Sequence, residues 1–468
     1  MSKIDKSIVK KTFIYFIGNF ASKIIMAIMI PFYAYFVTVE ELGVFDYSQT
    51  LMNIIAPIIF LALWEAVLRF LIIEDDQEKK NNIIFTSLAV VIVIILFLIT
   101  FAAVVFFLSD NYIMLYTSIM ICVYGAAQVW QYYARALAEN KVYIQASVAG
   151  TIINFLLLII TVFLFDMGID GLFWSYIIGQ ISIVIIIEKK IQIKKTLTGN
   201  TFEWDILKSM LVFSLPLVLN LASAWLIAGS GRIIIMQTLG AYESGLFSFA
   251  MKFGTIVSMF GTVISMALIE EAIIKSKQER IDEYFSNIIE VVFKLFLSIC
   301  ILAIPFIAIF YHFLPNKGYS ESYSLVPLFL IYAIIMTMST NVGAIFQARN
   351  STKMLFYTTV AAALVTIILS LYLINILDVF GVMIAQVTGA LTLLISRWFF
   401  ANKLINLKVK WRDIIILILL YLLVIIVFKD NLNPLSIIIS LFLVIAVLML
   451  NKEMIVQLKN LKKVNKLN

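Results

Sequence analysis

The chain is poor in charge, in histidine and in cysteine, and each shortage removes a class of function. Charged residues make up 13% of its 468 positions and hydrophobic ones 63%, with a mean hydropathy of +1.04, so no soluble globular surface can be assembled from it. The one histidine, His312, falls at the outer edge of an apolar run, which excludes a histidine proton relay or catalytic dyad through a membrane. Cys122 and Cys300 both lie inside apolar runs, so neither a disulfide framework nor a cysteine metal site can be argued. No phosphate-binding glycine loop and no cluster of metal ligands is evident. The chain is therefore expected to be no ATPase, to hold no metal and no cofactor, and to have no catalytic site. Long connections are missing too: the longest outer one, about His312 to Ser324, is too small for a folded extracytoplasmic domain. That argues against a membrane enzyme that joins sugars.

What the chain has in plenty is apolar runs of the roughly 20 residues that span a bilayer as a helix. About fourteen follow one another. The first seven are Thr12 to Val37, Tyr47 to Ile73, Ile83 to Leu108, Ile113 to Ala134, Val142 to Phe165, Gly171 to Ile187 and Leu207 to Leu239. The second seven are Leu246 to Ile269, Ile288 to Tyr311, Leu325 to Phe346, Met354 to Ile376, Val382 to Phe400, Ile414 to Phe428 and Leu435 to Leu450. Thr12 to Val37 is too long for the apolar core of a cleavable leader and is expected to be the first span. Lys and Arg crowd the alternate connections, while the others hold only Lys317 and Lys429. The excess marks the cytoplasmic side and puts both termini there. The net charge of +7 thus describes contact with an anionic inner leaflet, with no reason to invoke nucleic acid.

The chain is also written twice. Asn19-Phe20-Ala21-Ser22 returns as Asn220-Leu221-Ala222-Ser223, and Glu41-Leu42-Gly43-Val44-Phe45-Asp46-Tyr47 as Glu243-Ser244-Gly245-Leu246-Phe247-Ser248-Phe249, an E-x-G-x-F-x-aromatic pattern. Arg135-Ala136 with Lys141 matches Gln347-Ala348 with Lys353, and the Gly171 and Gly179 region matches that of Gly381 and Gly389. One order at nearly constant offset implies repeats. Six spans per half make them parallel, related by an axis along the membrane normal, with a central cavity between lobes and a terminal helix pair after them. The fold expected is all-α and polytopic. Residues 1–190 form the first six-helix lobe, 191–206 a cytoplasmic linker, 207–401 the second lobe, and 402–468 the last two helices with a basic tail. Pro31, Pro57 and Pro216 interrupt spans at membrane depth, as static kinks or as bends that follow motion of the lobes.

The two E-x-G-x-F turns, Phe213-Ser214-Leu215-Pro216 at the opening of the seventh span, and the glycine-rich sixth span resemble the polysaccharide-transport (Wzx-type) branch of the multidrug, oligosaccharidyl-lipid and polysaccharide exporter superfamily, over essentially the whole chain. The resemblance implies a bacterial inner-membrane flippase for undecaprenyl-diphosphate-linked oligosaccharide, such as an O-antigen, capsule or exopolysaccharide repeat unit. Its partners would be that substrate, membrane lipids and other polysaccharide-assembly membrane proteins. Proton, sodium or membrane-potential coupling is left open. A lipid II flippase of the same plan is the nearest alternative. A cation-exporting multidrug transporter would want carboxylates where this chain has Lys23, and a non-transporting scaffold would not need buried cations.

An ionisable residue near the bilayer centre costs at least about 2.5 to 3.5 kcal/mol, so it should face a partner or a wet cavity. Lys23 lies roughly 16 Å into the first span, near the midplane, with Asn19 one turn before it on the same face. Arg232 shares a face of the seventh span with Trp225, and Lys252 enters the eighth from its outer end. Their counterparts in the other repeat are uncharged. The three cations are therefore expected to bind the diphosphate, because that anion offers many acceptors, with Asn19, Gln49, Asn53, Asn220 and Trp225 as sugar contacts. Glu65 and Arg69, four apart, should pair as a structural salt bridge or as an inner gate. Lys294 and Arg397 are expected to snorkel to the inner surface, and Trp130, Tyr132 and Tyr133 to form an interfacial aromatic belt.

The orientation is checked by cysteines placed at Gln192 and Lys459, which should stay shielded from impermeant thiol reagents in intact cells. Labelling at either position before lysis overturns it.

Overall fold

The structure is a computed structural model that describes residues 27–193, 201–275, 281–315, 318–348, 353–429 and 434–451, with the isolated residues 25 and 195. Among the described residues every regular element is helical, as hydrocarbon demands: a span there must satisfy its own backbone. In order come α1 (Ala27–Phe36), α2 (Val39–Ile59), α3 (Leu63–Ile73), α4 (Gln77–Ser109), α5 (Tyr112–Ala136), α6 (Asn140–Leu158), α7 (Gly168–Ile191) and α8 (Trp204–Thr238). Then follow α9 (Ala241–Lys275), α10 (Ile281–His312), α11 (Val326–Ala348), α12 (Lys353–Leu404), α13 (Trp411–Val427) and α14 (Pro434–Leu450). A π-helical turn, Ile159–Leu164, extends α6, and a 3₁₀ turn, Tyr319–Leu325, leads into α11.

The protein is an all-α polytopic membrane protein, and each expected span finds its helix wherever residues are described. Among the described residues eight helices are long and apolar enough to cross a membrane singly, and the bent pair α2 and α3 taken as one span makes a ninth. Most of the first expected span lies outside the described residues. α12 carries two expected spans joined at Asp378 (φ 49°, ψ −134°), whereas α13 and α14 are short at 17 residues each. Polar residues set where helices begin. Thr38 and Glu41 form a reciprocal cap on α2, the Thr38 amide donating to Glu41 Oε2 (2.9 Å) and the Glu41 amide to Thr38 Oγ1 (3.3 Å). Asp76 and Asn111 cap α4 and α5 by accepting from the amides of Glu78 and Met114.

The second expected span is not straight. α2 and α3 meet at 52° just past Pro57, whose missing N–H weakens the ladder. Leu61 and Ala62 turn through left-handed backbone (φ 54° and 47°), which costs about 1–2 kcal/mol each for residues with a Cβ. The break is held by packing: Phe60 and Ala62 are fully buried, and the Phe60 ring lies where a side chain on Gly125 of α5 would be.

By their contacts the residues divide into two compact units, Met1–Gly245 and Leu246–Asn468. In the first, α5 packs on α2, α3, α4 and α7, α6 on α7, and α8 on α2 and α3. Repeat order and packing order therefore differ, since α8 opens the second repeat in sequence yet packs within the N-terminal unit. In the second unit α11 packs on α12 and α10 on α13.

Two cations of that unit depart from expectation. Lys294 is held by carboxylates: its ammonium lies 2.8 Å from Glu290 and 2.6 Å from Asp413 of α13. Arg397 is likewise turned inward, donating from Nη1 to the Ser339 carbonyl (2.8 Å) and from Nη2 to Thr359 Oγ1 (3.2 Å), with Nε 3.5 Å from Thr358 Oγ1.

Lys294→Met should strip two neighbouring carboxylates of their shared cation and destabilise the α10–α13 contact by about 1–3 kcal/mol. The measurement is the thermal midpoint in detergent by fluorescence-detected gel filtration. Adding Glu290→Gln and Asp413→Asn should recover most of the loss, and an unshifted midpoint for the single variant would remove the triad from the stability of the fold.

Candidate functional site

Within the N-terminal unit the starts of α2 and α9 meet through the glycines of the two E-x-G-x-F turns. A side chain on Gly43 would overlap the carbonyl oxygen of Ala241, and one on Gly245 would overlap that of Val39. Val39 and Gly43 of α2 correspond in the repeat to Ala241 and Gly245 of the first turn of α9. The contact is thus reciprocal, backbone against backbone, and needs glycine at the same place in both copies. Ser244 Oγ adds a bond of 3.5 Å to the Gly43 carbonyl.

One turn inward, α8 meets α2 through charge. Arg232 Nη1 donates to Thr50 Oγ1 and to the Asp46 carbonyl (3.2 Å). The Asp46 carboxylate, only 3% exposed, lies within electrostatic reach of the guanidinium. Thr50 also returns a bond to the Asp46 carbonyl (2.8 Å). Arg232, expected to line a cavity, is therefore engaged by its neighbour helix. Asp46 and Thr50 are the residues that sequence reasoning missed. Asp46 stood in view inside the turn motif, but its place just before Tyr47 made it look like the outer edge of a span, whereas α2 begins at Val39.

Past the break, Glu65 and Arg69 share a face of α3 without pairing. Glu65 Oε1 accepts from the Tyr132 hydroxyl of α5 (2.7 Å), and the Arg69 guanidinium sits 4.3 Å above the Phe213 ring of α8. The expected salt bridge is corrected: each charge finds a partner on a different neighbouring helix, so α3 is held between α5 and α8. The aromatic belt changes in the same way. Trp130 Nε1 donates to Glu188 Oε2 of α7 (2.9 Å), and the Tyr133 hydroxyl, fully buried, meets Ser87 Oγ of α4 (2.7 Å). These rings join helices because an indole N–H or phenol inside a bundle must find an acceptor.

Of the other expected contacts, Gln49 and Asn53 are half-buried on α2, Asn220 and Trp225 are exposed on α8, and Lys252 is half-buried on α9 in the C-terminal unit. Lys23 and Asn19 lie outside the described residues. No group of three or more metal-binding side chains occurs among the described residues.

The family model for polysaccharide biosynthesis proteins matches residues 8–269, which is more than half of the chain. The chain belongs to this family. A relative in Methanocaldococcus jannaschii, described as an uncharacterized membrane protein, is 23% identical over 290 residues, 57% of this chain and 66% of that protein's length. Among solved structures, the lipid II flippase MurJ in an inward closed conformation superposes with a TM-score of 0.67 at 14% identity, covering 94% of this chain and 99% of its own. A multidrug-resistance MATE transporter of the exporter superfamily does so in its inward-facing conformation with a TM-score of 0.67 (14% identity, 81% of this chain, 94% of its own). In the outward-facing conformation the TM-score is 0.58 (14% identity, 85% and 95%). These likenesses are of fold. Together with the family match they agree with the resemblance read from the turns and the seventh span: this is a multi-pass membrane protein of the polysaccharide biosynthesis family, with a fold like those of the MurJ flippase and the MATE transporters.

The charge contact between α8 and α2 gives a direct test. Arg232→Ala should leave Asp46 buried without its countercharge, at a cost of about 3–5 kcal/mol, and lower the yield of monodisperse protein. Asp46→Asn on that background should restore most of the yield. Full yield of the single variant, with transport lost, would assign the guanidinium to substrate instead.

Proposed function

We propose that the protein moves undecaprenyl-diphosphate-linked oligosaccharide from the inner to the outer leaflet of a bacterial cytoplasmic membrane by alternating access. The observation that carries this reading is the polysaccharide biosynthesis family match over residues 8–269, joined to a fold shared over nearly the whole chain with a lipid flippase. The chemistry fits. The substrate's tail already belongs in the bilayer, whereas each sugar hydroxyl buried without a partner costs a few kcal/mol, so an unaided flip is very slow. A polar cavity that opens sideways would leave the tail in lipid and hydrate the head.

Lys23 is the proposed principal contact of the diphosphate, with Lys252 and Arg232 as further cations and Asn19, Gln49, Asn53, Asn220 and Trp225 toward the sugars. Arg232 is given the lesser part in this reading because its guanidinium is already engaged by α2. An inside-negative potential would help to drive two negative charges outward by about 4.6 kcal/mol at 100 mV, with proton or sodium exchange as the other candidate drive. Other membrane proteins of glycan assembly are the proposed partners. The second reading, lipid II, is supported by the likeness to MurJ. Deleting the gene separates the two: a lipid-linked oligosaccharide repeat unit should accumulate on the cytoplasmic side, and accumulation of lipid II in its place would favour the alternative.

Within this proposal the Lys23 series is decisive. Lys23→Ala should abolish export at near-normal protein abundance, since loss of a midplane charge relieves insertion cost. Lys23→Arg should retain part of the activity, because the charge remains while the donor geometry changes, and Lys23→Glu should be worse than alanine. Wild-type export by a normally abundant alanine variant removes Lys23 from the mechanism.

A further inference from the structure

A groove of about 540 Å³ lies in the C-terminal unit between α10, the last turns of α12 and the start of α13, at the end that the cation distribution places in the cytoplasm. Phe293, Ile395, Phe399 and the indoles of Trp398 and Trp411 form its wall, the two indole rings 5.4 Å apart. Its volume falls within the range of small-ligand pockets, and its lining is almost wholly apolar. Charge enters at the rim, where the Lys403 ammonium stands 4.3 Å above the Phe399 ring and 5.6 Å from that of Phe400.

Among the described residues Lys403 is the one charged residue in the groove's own lining. Lys408, Lys410 and Arg412, all exposed, continue from Lys403 along the connection into α13. The nearby carboxylates are engaged: Glu290 and Asp413 close on Lys294, Glu290 also accepts from the Lys410 amide, and Asp282 accepts from the Asn406 amide. An apolar slot with interfacial indoles and a cationic lip is complementary to a lipid with a negative headgroup.

We propose that this groove seats one anionic phospholipid of the inner leaflet, an acyl chain against the aromatic wall and its phosphate at Lys403. The site is separate from the transport pathway proposed above and does not depend on the identity of the glycan. A lipid so placed bridges α10, α12 and α13 and braces the terminal helix pair at the same level as the Lys294 triad.

Brominated acyl chains report the occupant, because bromine quenches indole fluorescence on contact. The full-length protein is placed in phosphatidylcholine bilayers containing a minor fraction of brominated phosphatidylglycerol or, in parallel, brominated phosphatidylcholine. The emission of Trp398 and Trp411 is isolated by difference from a variant with Trp398→Phe and Trp411→Phe. The phosphatidylglycerol form should bind about fivefold more tightly, the factor that one lysine near an anionic headgroup supplies. Lys403→Gln should bring the ratio close to one. Lys403 is exposed, so folding does not confound that variant, and native mass spectra should show one phosphatidylglycerol fewer on it than on the wild type. Equal quenching by the two headgroups, or a preference that survives Lys403→Gln together with an unchanged lipid count, overturns the proposal. So does release of the quenching by undecaprenyl phosphate but not by unlabelled phosphatidylglycerol, which would give the groove to a prenyl tail.

Discussion

Hydrocarbon offers no hydrogen bonds, so a polar group that enters it must be met by another part of the protein. That constraint explains why these helices, with little charge to spare, use it to join one another. Arg232 reaches Thr50 and Asp46 on α2, Lys294 reaches Asp413 on α13, and Arg397 reaches the Ser339 carbonyl of α11. Tyr132, Trp130 and Tyr133 do the same from α5 toward α3, α7 and α4. Between lipid-like side chains there is little hydrophobic drive for one helix to prefer another, and specific polar contacts of this kind, with close packing, set the arrangement.

Close packing is the second element, and it is concentrated where side chains are absent. The reciprocal approach of Gly43 to Ala241 and of Gly245 to Val39 brings together the same turn from both repeats. The contact requires glycine in both copies of the turn because the opposing atoms belong to backbone, which cannot rotate away. The break between α2 and α3 follows a related logic: Pro57 weakens the ladder, and the space over Gly125 accepts Phe60 and fixes the bend.

These placements bear on transport. One of the three cations offered as ligands for an anionic head, Arg232, is occupied within the scaffold, which moves the proposed recognition chemistry toward Lys23 and Lys252. At the α3 level, an acid held by a tyrosine and an arginine stacked on a phenylalanine tie the segment beyond the break to two different helices. A movement of α3 would therefore exchange hydrogen-bond and cation–π partners rather than open an ion pair.

Hydropathy determined the class of protein and the order of its apolar helices, because these follow from transfer free energies that are local to each segment. Repeat spacing and the turn motif were enough to reach the family. The partners of the buried charges were not legible. Glu65 and Arg69 stood four apart on one helix and should have paired, yet the atoms that took them, Tyr132 and Phe213, lie far away in sequence. Asp46 looked like a residue of an outer turn until α8 was laid against it. A side chain four residues along the same helix is always available, so sequence reasoning chooses it by default. The tertiary structure decides otherwise, because in a medium without water the better-aligned acceptor or ring on a neighbouring helix wins, and only packing determines which helix is the neighbour.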